Sequence, residues 1–290
     1  MTDPLRALWD FHDLDATERR FRERLAREPS AAGQAEILTQ LARVEGLRGD
    51  FDAGERLIEE AVALAAGSAS AHARIDLEHG RLRRSAGSPE AALPLFESAF
   101  ARALDGDRSF LAADAAHMCA LAAPGRDGFV EWTSRGIELA EEHEEASYWA
   151  GPLLNNLGWE YFQAGDLELA LDAFERALRA RERDPGNAEG LALARYAVGK
   201  ALRALGRPEE AIPLLEEAVA WAEGEGTPDG WYHEELAEEY AAVGRTEEAR
   251  AQARLAIPLL EEADASFAGD ADRPSRLRSL AGAADASGDA

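Results

Sequence analysis

The sequence is poor in the features that disulfide-bonded, membrane-spanning and exported proteins carry. Its 290 residues include a single cysteine, Cys119, which can form neither an internal disulfide nor a zinc site built on cysteines. No apolar stretch approaches the ~20 residues of a membrane-spanning helix. The opening residues MTDPLRALWDFHD lack the basic and apolar regions of a signal peptide. We therefore expect a cytoplasmic protein with no membrane contact.

The chain also lacks a surplus of positive charge. Lys and Arg total 31 against 56 Asp and Glu, a formal net charge of −25. Because binding to phosphates requires an excess of basic residues, we expect no nucleic-acid partner. Valine and isoleucine are sparse, and no segment alternates apolar and polar residues over strand length. Alanine, leucine, glutamate and arginine dominate, and these favour helices, so the sequence predicts an all-α fold.

One pattern of small residues and glycines recurs six times along the chain. Its clearest copy is LNNLGWEYFQAGDLELALDAFERAL, where Gly158 precedes Ala170 by twelve residues and Gly165 lies between them. We expect Gly165 to end one helix and Gly158 to face Ala170 across a helical hairpin. The corresponding turn glycines are Gly49, Gly87, Gly125, Gly165, Gly206 and Gly244. The residues five positions after each turn are Gly54, Ala92, Val130, Ala170, Ala211 and Ala249, spaced by 38, 38, 40, 41 and 38 residues.

The clearest copy resembles the tetratricopeptide repeat (TPR) family. The matching residues are Leu154, Leu157, Gly158, Tyr161, Ala170, Phe174 and Ala177, although Leu154 replaces the usual Trp and the terminal Pro is missing. The resemblance implies a right-handed superhelical solenoid of about six helical hairpins. We predict an N-terminal helical cap over 1–30, the repeats over 31–265, and a capping segment with a disordered tail over 266–290. The third repeat, with Met118, Val130 and Ser134, fits least well, and its register could slip by one residue.

The motifs that might carry chemistry do not meet the requirements of a catalytic or metal site. The segment His233-Glu234-Glu235 lacks the second histidine of a zinc-protease helix, since Ala237 occupies that position, and we interpret it as a solvent-exposed acidic face. The segment Asp10 to Asp15 gathers possible metal ligands, but Asp13, Asp15 and Thr17 are better explained as helix N-caps. Cys119 has no basic neighbour in sequence, which indicates a buried, unreactive thiol. We expect no enzyme activity, metal or cofactor.

In the family that this chain resembles, the first helix of each hairpin lines an inner groove. Carried over by position, the groove residues include Asn155, Trp159 and Phe162 on one first helix, and Tyr196, Lys200 and Arg203 on the next. Arg81 and Arg84 would continue the site towards the N-terminus. An Asn beside a Lys/Arg pair is similar to the carboxylate clamp of chaperone-binding family members. The alternative for Trp159 and Phe162 is packing between adjacent repeats.

These residues lead to two interpretations of function. The first is a non-catalytic scaffold that binds a protein or peptide segment bearing carboxylates in the groove. The second is a sensory module that binds a signalling peptide or a small ligand and controls a separate effector chain. The sequence leaves open which of the two is right, and it leaves open the oligomeric state.

Overall fold

The computed structural model describes residues 3–184, 186–270 and 272–282, and this part of the chain is helical and contains no strand. The all-α prediction is confirmed. The helices are α1 Leu14–Leu25, α2 Ala31–Arg48, α3 Phe51–Leu64, α4 Ala69–Ser85, α5 Pro89–Asp105, α6 Ser109–Ala122, α7 Gly125–Glu142, α8 Ala150–Ala164, α9 Leu167–Glu182, α10 Ala188–Ala204, α11 Pro208–Gly224, α12 Gly230–Ala242, α13 Thr246–Ala263 and α14 Asp272–Leu280. Short 3₁₀ turns lie at Arg6–Leu8, Glu144–Trp149 and Phe267–Gly269.

Helices α2 to α13 form six consecutive hairpins, one for each predicted repeat. All six predicted turn glycines have positive φ angles, between 70° and 87°. A side chain would strain the backbone in this region, whereas glycine enters it freely, so these residues reverse the chain at each hairpin. Aspartate or proline then often starts the second helix: Asp50 accepts a hydrogen bond from the Ala53 amide, and Pro89 and Pro208 open α5 and α11.

The hairpins fall into two compact units, Met1–Leu153 and Leu154–Ala290, which we call unit 1 and unit 2. Helix α8 begins in unit 1 and continues into unit 2. The limits expected for the repeats at residues 31 and 265 remain predictions. The end of the chain that was predicted to be disordered, ASGDA, lies outside the described residues.

Each unit has a short helix beside its outermost hairpin. In unit 1, α1 packs against α2, and its Phe21 is completely buried. The Asp13 side chain caps α1 by accepting a hydrogen bond from the Ala16 amide, as predicted. In unit 2, α14 packs against α13 and buries Leu277 completely. These helices cover apolar faces that the outermost hairpins would otherwise leave in water.

Within a hairpin, a glycine on the first helix lies against a large side chain on the second. A Cβ atom built on Gly80 would lie 2.4 Å from the Phe96 ring, and one built on Gly158 would lie 2.4 Å from the Phe174 ring. At Gly199 the nearest atom of Leu215 would be 2.8 Å away. The three atoms nearest to a Cβ on Gly158 all belong to Phe174, one helical turn after Ala170. The glycine therefore provides space for a large residue, and its contact with Ala170 remains a prediction.

The third hairpin differs from its neighbours in register. The buried residues of α7 are Thr133, Gly136, Ile137 and Ala140, and they repeat the pattern of Phe96, Ala99, Phe100 and Ala103 on α5 at a distance of 37 residues. The predicted spacing of 38 residues, which places Val130 and Ser134 on the buried face, is therefore one residue too long, and the third repeat has slipped by one residue from the predicted register. A glycine is again the small partner, because a Cβ on Gly136 would lie 2.8 Å from Leu153 and 3.3 Å from the Ala116 Cβ.

The contact between Gly158 and Phe174 predicts a specific response to mutation. Gly158→Ala should destabilise the protein, since overpacking of a filled core costs about 1–3 kcal/mol and exceeds the gain in helix propensity. The measurement is the midpoint of thermal unfolding followed by circular dichroism. The matched control is Gly224→Ala at the end of α11, where an added Cβ meets no atom within 4 Å.

Adding Phe174→Leu to the Gly158→Ala variant should recover part of the lost stability, because the smaller side chain vacates the space that the new methyl group enters. Equal unfolding midpoints for Gly158→Ala and Gly224→Ala would contradict the contact.

Candidate functional site

In unit 1, the first helices α2, α4 and α6 carry polar side chains that pair one repeat apart. Arg74 Nε on α4 lies 3.2 Å from Glu36 Oε2 on α2, and Gln40 Nε2 donates to Glu78 Oε1 at 3.2 Å. Both pairs join residues separated by 38 positions, which is the repeat spacing. Equivalent positions of neighbouring first helices therefore meet, and opposite charges or matching hydrogen-bond groups occupy them.

Of the two arginines predicted to extend the site, one is paired and the other is exposed. Arg81 donates to Glu78 Oε1 at 2.6 Å and also forms an ion pair with Asp114 on α6. Arg84, one turn further along α4, is exposed. Both belong to unit 1, whereas the other six predicted site residues belong to unit 2.

In unit 2, the two predicted cations share one carboxylate. Lys200 Nζ forms an ion pair with Glu235, and Arg203 donates to the same carboxylate through Nε at 2.6 Å and through Nη2 at 3.2 Å. Glu235 lies on α12 and is 2% exposed. Although burial opposes its ionisation, the two cations hold the pKa of Glu235 below its usual value. Lys200 and Arg203, which the sequence predicted to bind a partner's carboxylate, are therefore partly neutralised by Glu235 of the same chain.

The predicted aromatic residues pack against one another along unit 2. The Trp159 ring contacts Phe174 at 5.1 Å and Phe162 at 5.6 Å between centroids, and Tyr196 lies 5.1 Å from Tyr232. Tyr196 is buried, while Trp159 and Phe162 are half-buried. Packing between repeats therefore accounts for the buried side of the Trp159 and Phe162 rings. The exposed side of each of these two rings can still contact a ligand.

Asn155 lies one turn before Trp159 on α8. Its Oδ1 atom is buried and has no hydrogen-bond partner among the described residues. An unpaired buried oxygen costs free energy, so a donor from a bound segment would stabilise it.

The segment beginning at His233 differs from the expected exposed acidic face. His233 and Glu234 are 2% and 4% exposed. Arg273, on α14, binds both oxygens of Glu234, with Nε–Oε1 at 2.7 Å and Nη2–Oε2 at 2.5 Å. The His233 Nδ1 atom lies 2.6 Å from Gln252 Oε1. The interpretation as a solvent-exposed face is wrong because α10 and α14 bring cations to the acidic residues of α12.

A second carboxylate near Arg203 is much less well neutralised. Glu239 is completely buried, neither of its oxygens has a hydrogen-bond partner among the described residues, and Arg203 Nε is 3.9 Å away. The pKa of Glu239 is raised to about 7, chiefly by burial; Arg203 opposes this shift, and Glu235, Glu238 and Glu209 contribute to it. At neutral pH the cluster therefore contains two cations, one firmly ionised carboxylate and one that is partly protonated.

The described part of the chain contains no arrangement of side chains that indicates redox or metal chemistry. Cys119 is completely buried on α6, and burial raises the pKa of its thiol to about 12. Within residues 3–184, 186–270 and 272–282, no three His, Cys, Asp or Glu side chains are grouped so that they could hold a metal ion. No helix of this part is both long and apolar enough to cross a membrane.

The hairpin geometry agrees with the match to a known family. Tetratricopeptide repeat descriptions match residues 152–184 and 190–262, which contain the hairpins α8–α9 and α10–α11 and most of α12–α13. The chain contains tetratricopeptide repeats. Repeats of this family are protein–protein interaction modules. No curated protein matches this TPR protein significantly in sequence.

Solved structures of other TPR-like proteins share the fold. The apo form of RapI superposes with a TM-score of 0.70 at 12% identity, over 93% of this chain and 76% of that chain. The apo quorum sensor NprR from B. thuringiensis gives 0.60 at 15% identity, over 96% and 79%. A STAND-family signal transduction ATPase from Pyrococcus horikoshii with a tetratricopeptide repeat sensor gives 0.69 at 15% identity, over 96% of this chain and 43% of that one. At these identities the likeness concerns the fold alone.

Sequence reasoning missed the partners of the predicted site residues in this TPR protein. Glu235 lies 35 residues after Lys200 and 32 after Arg203, and Glu238 lies 38 residues before Arg276, with which it forms an ion pair. The signal was present as opposite charges about one repeat apart. This signal gave no prediction because the charged residues of each first helix were interpreted as contacts for a partner protein, and not as ion pairs with the next first helix.

The buried Glu239 makes stability depend on pH. Its folded-state pKa lies above the unfolded value, so the folded state binds more protons, and this contribution weakens folding as pH rises from about 4.5 to about 7. Glu239→Gln should abolish that contribution and stabilise the protein above pH 7, by on the order of 1–3 kcal/mol since each pKa unit corresponds to ~1.4 kcal/mol.

Urea unfolding of Glu239→Gln and of wild type at pH 5 and pH 8 measures this effect. The matched control is Glu262→Gln, which removes the same charge from an exposed position on α13. A Glu239→Gln effect that is the same at both pH values would contradict the assignment.

Proposed function

We propose that this TPR protein is a non-catalytic interaction scaffold that binds a carboxylate-bearing segment of a partner protein on the first-helix face of unit 2. This face consists of Asn155, Trp159, Phe162, Tyr196, Lys200 and Arg203. The observation that carries the proposal is that two cations face one firmly ionised carboxylate, Glu235, while Glu239 beside Arg203 is partly protonated. A partner's carboxylate would complete the charge balance of this cluster.

The exposure of the two cations supports the same conclusion. The side chains of Lys200 and Arg203 are 22% and 37% exposed, whereas Glu235 beneath them is 2% exposed. A ligand approaching from solvent therefore meets the cations first. Arg203 uses Nε and Nη2 on Glu235, which leaves its Nη1 group for a second carboxylate.

The neighbouring residues supply contacts of a different kind. Trp159 and Phe162 offer the half-buried faces of their rings to apolar side chains, and aromatic rings provide contact area at a small cost in conformational entropy. Asn155 is half-buried, and after rotation of its side chain towards solvent its unpaired Oδ1 atom can accept a hydrogen bond from a main-chain amide of the ligand. An extended segment with one acidic and one apolar side chain would use all three features.

The experiment begins with a displayed library of random peptides selected on the full chain. Affinities of the selected peptides, and of versions with each acidic residue replaced by its amide, are then measured by fluorescence anisotropy. We expect the amide versions to bind at least about tenfold more weakly, which corresponds to ~1.4 kcal/mol. Selected peptides that tolerate this replacement would contradict carboxylate recognition.

Glu235→Gln provides a sharper test than removal of the cations. The amide still accepts hydrogen bonds from Lys200 and Arg203 but no longer neutralises them, so carboxylate peptides should bind about tenfold more tightly. Their amide versions should be unaffected. The control is Glu182→Gln, an exposed residue of α9 with the same change in net charge. Unchanged or weaker binding by Glu235→Gln would show that Lys200 and Arg203 serve the fold alone.

A further inference from the structure

Residues 3–12 lie on the first-helix face of unit 1 and also contact α1, where the ring centroids of Trp9 and Phe21 are 5.4 Å apart. Asp3 is 4% exposed and its Oδ2 atom lies 2.5 Å from Nη2 of Arg74, which is itself 3% exposed. Arg74 is on α4 and also binds Glu36 on α2. The segment 3–12 thus starts with a buried carboxylate on a buried guanidinium, and both come from regions far apart in sequence.

The rest of the segment follows the same face. Leu5 is 7% exposed and belongs to the apolar cluster that contains Ile37 and Leu38 of α2. The Trp9 indole donates from Nε1 to Gln40 Oε1 at 2.8 Å, and the Arg43 guanidinium lies 5.1 Å from the Trp9 ring. An acidic residue, a leucine and a tryptophan are therefore each recognised by side chains of α2 or α4 with matching chemistry.

At Arg6 the segment reaches another part of unit 1. The Arg6 guanidinium lies 3.2 Å from the centroid of the Tyr148 ring, in the turn after α7. Unit 1 thus surrounds the segment with contacts on α2, on α4 and near Tyr148.

The attachment of the segment depends mainly on side chains. The main-chain hydrogen bonds described for residues 3–12 stay within the segment, involve the amide of the adjacent Asp13, or involve the Thr17 and Arg20 side chains of α1. Its contacts to α2 and α4 are the Asp3 ion pair, the burial of Leu5 and the Trp9 hydrogen bond. A segment bound in this way resembles a peptide ligand on a preformed surface more than an element of a continuous core.

We propose that residues 3–12 are a resident ligand of unit 1 that exchanges with a segment of a partner protein of the same chemistry. That segment carries a carboxylate, a leucine two residues later and a tryptophan four residues after the leucine. It binds Arg74, the apolar cluster of α2, and Gln40 after the N-terminal residues have left. This inference concerns unit 1 and does not require the proposed surface of unit 2 to bind anything.

Competition between the two segments has a quantitative consequence. A tethered ligand acts at a high effective concentration, so the apparent affinity for a free segment falls in proportion to the fraction of chains whose surface is vacant. Weakening the resident segment should therefore increase the affinity for a free peptide, although the surface that binds the peptide is unchanged.

The test uses a labelled synthetic peptide of residues 3–12, DPLRALWDFH, and the full chain. We expect the peptide to bind the Trp9→Ala chain at least tenfold more tightly than the wild-type chain. Asp3→Asn is the second variant and should act in the same direction, because it removes the charge that faces Arg74. The matched control is His12→Ala in the chain, an exposed residue of the same segment that should leave peptide affinity unchanged.

Specificity is tested with a second peptide in which tryptophan is replaced by phenylalanine, which has no N–H donor. On the Trp9→Ala chain we expect the phenylalanine peptide to bind several-fold more weakly than the tryptophan peptide. When Gln40→Leu is added to that chain, the difference between the two peptides should shrink, because the hydrogen bond to the indole N–H is lost while the contact with Arg43 remains. A preference for tryptophan that is undiminished by Gln40→Leu would place the peptide elsewhere on the protein and overturn the proposal.

Three further outcomes would overturn the proposal that the segment exchanges with a partner protein. Equal binding of the peptide to the wild-type and both variant chains, or binding to none of them, would mean that the segment is a fixed part of the fold. Loss of helical circular dichroism in both variants would mean the same. A wild-type dimer that becomes monomeric in Trp9→Ala would show that two copies of the chain exchange their segments, which overturns the commitment to a partner protein.

Discussion

The close approach of the two helices of a hairpin is the constraint on which the structure depends, and in the second, fourth and fifth hairpins a glycine opposite a large side chain makes it possible. Where Gly80, Gly158 or Gly199 lacks a side chain, Phe96, Phe174 or Leu215 fills the space and is buried. Dispersion contacts of this kind require a close fit, since a gap of less than an ångström forfeits much of the attraction. The fit fixes which faces of the two helices meet, and therefore also which faces remain available for neighbouring hairpins and for ligands.

Neighbouring first helices are joined in a different way, by charge. Arg74 with Glu36, Lys200 and Arg203 with Glu235, and Arg273 with Glu234 connect one repeat, or the terminal helix, to the preceding one. Buried charges tolerate little misplacement, because an unpaired buried ion is strongly destabilising. The apolar contacts within hairpins thus fix which helix faces meet, while the ionic contacts between first helices favour one register in which neighbouring hairpins stack.

The parts of this structure that follow from local sequence were predictable. Six turn glycines and the residues around them predicted six hairpins, since a left-handed turn and a helix boundary are properties of a few adjacent residues. The register of α7 was not predictable to better than one residue, because Val130 and Ser134 are no more apolar than their neighbours Phe129 and Thr133. The burial of His233 and Glu234 depends on Arg273, 39 residues away from Glu234, and the position of Asp3 depends on Arg74. Such long-range ionic contacts leave a trace in sequence only as opposite charges one repeat apart, and for Asp3 they leave none.

The ionic contacts between repeats also limit how an array of this kind can change in length. Repeat proteins are often pictured as interchangeable modules that gain or lose copies by duplication. Here a second copy of α12–α13 placed after the first would bring its Glu235 beside Glu238 and Ala241, which occupy in α12 the positions of Lys200 and Arg203 in α10. The new boundary would place the buried Glu235 beside the half-buried Glu238 without a cation. The last hairpin is thus electrostatically matched to its predecessor, so duplication of this repeat would destabilise the array although the apolar contacts within the hairpin are unchanged.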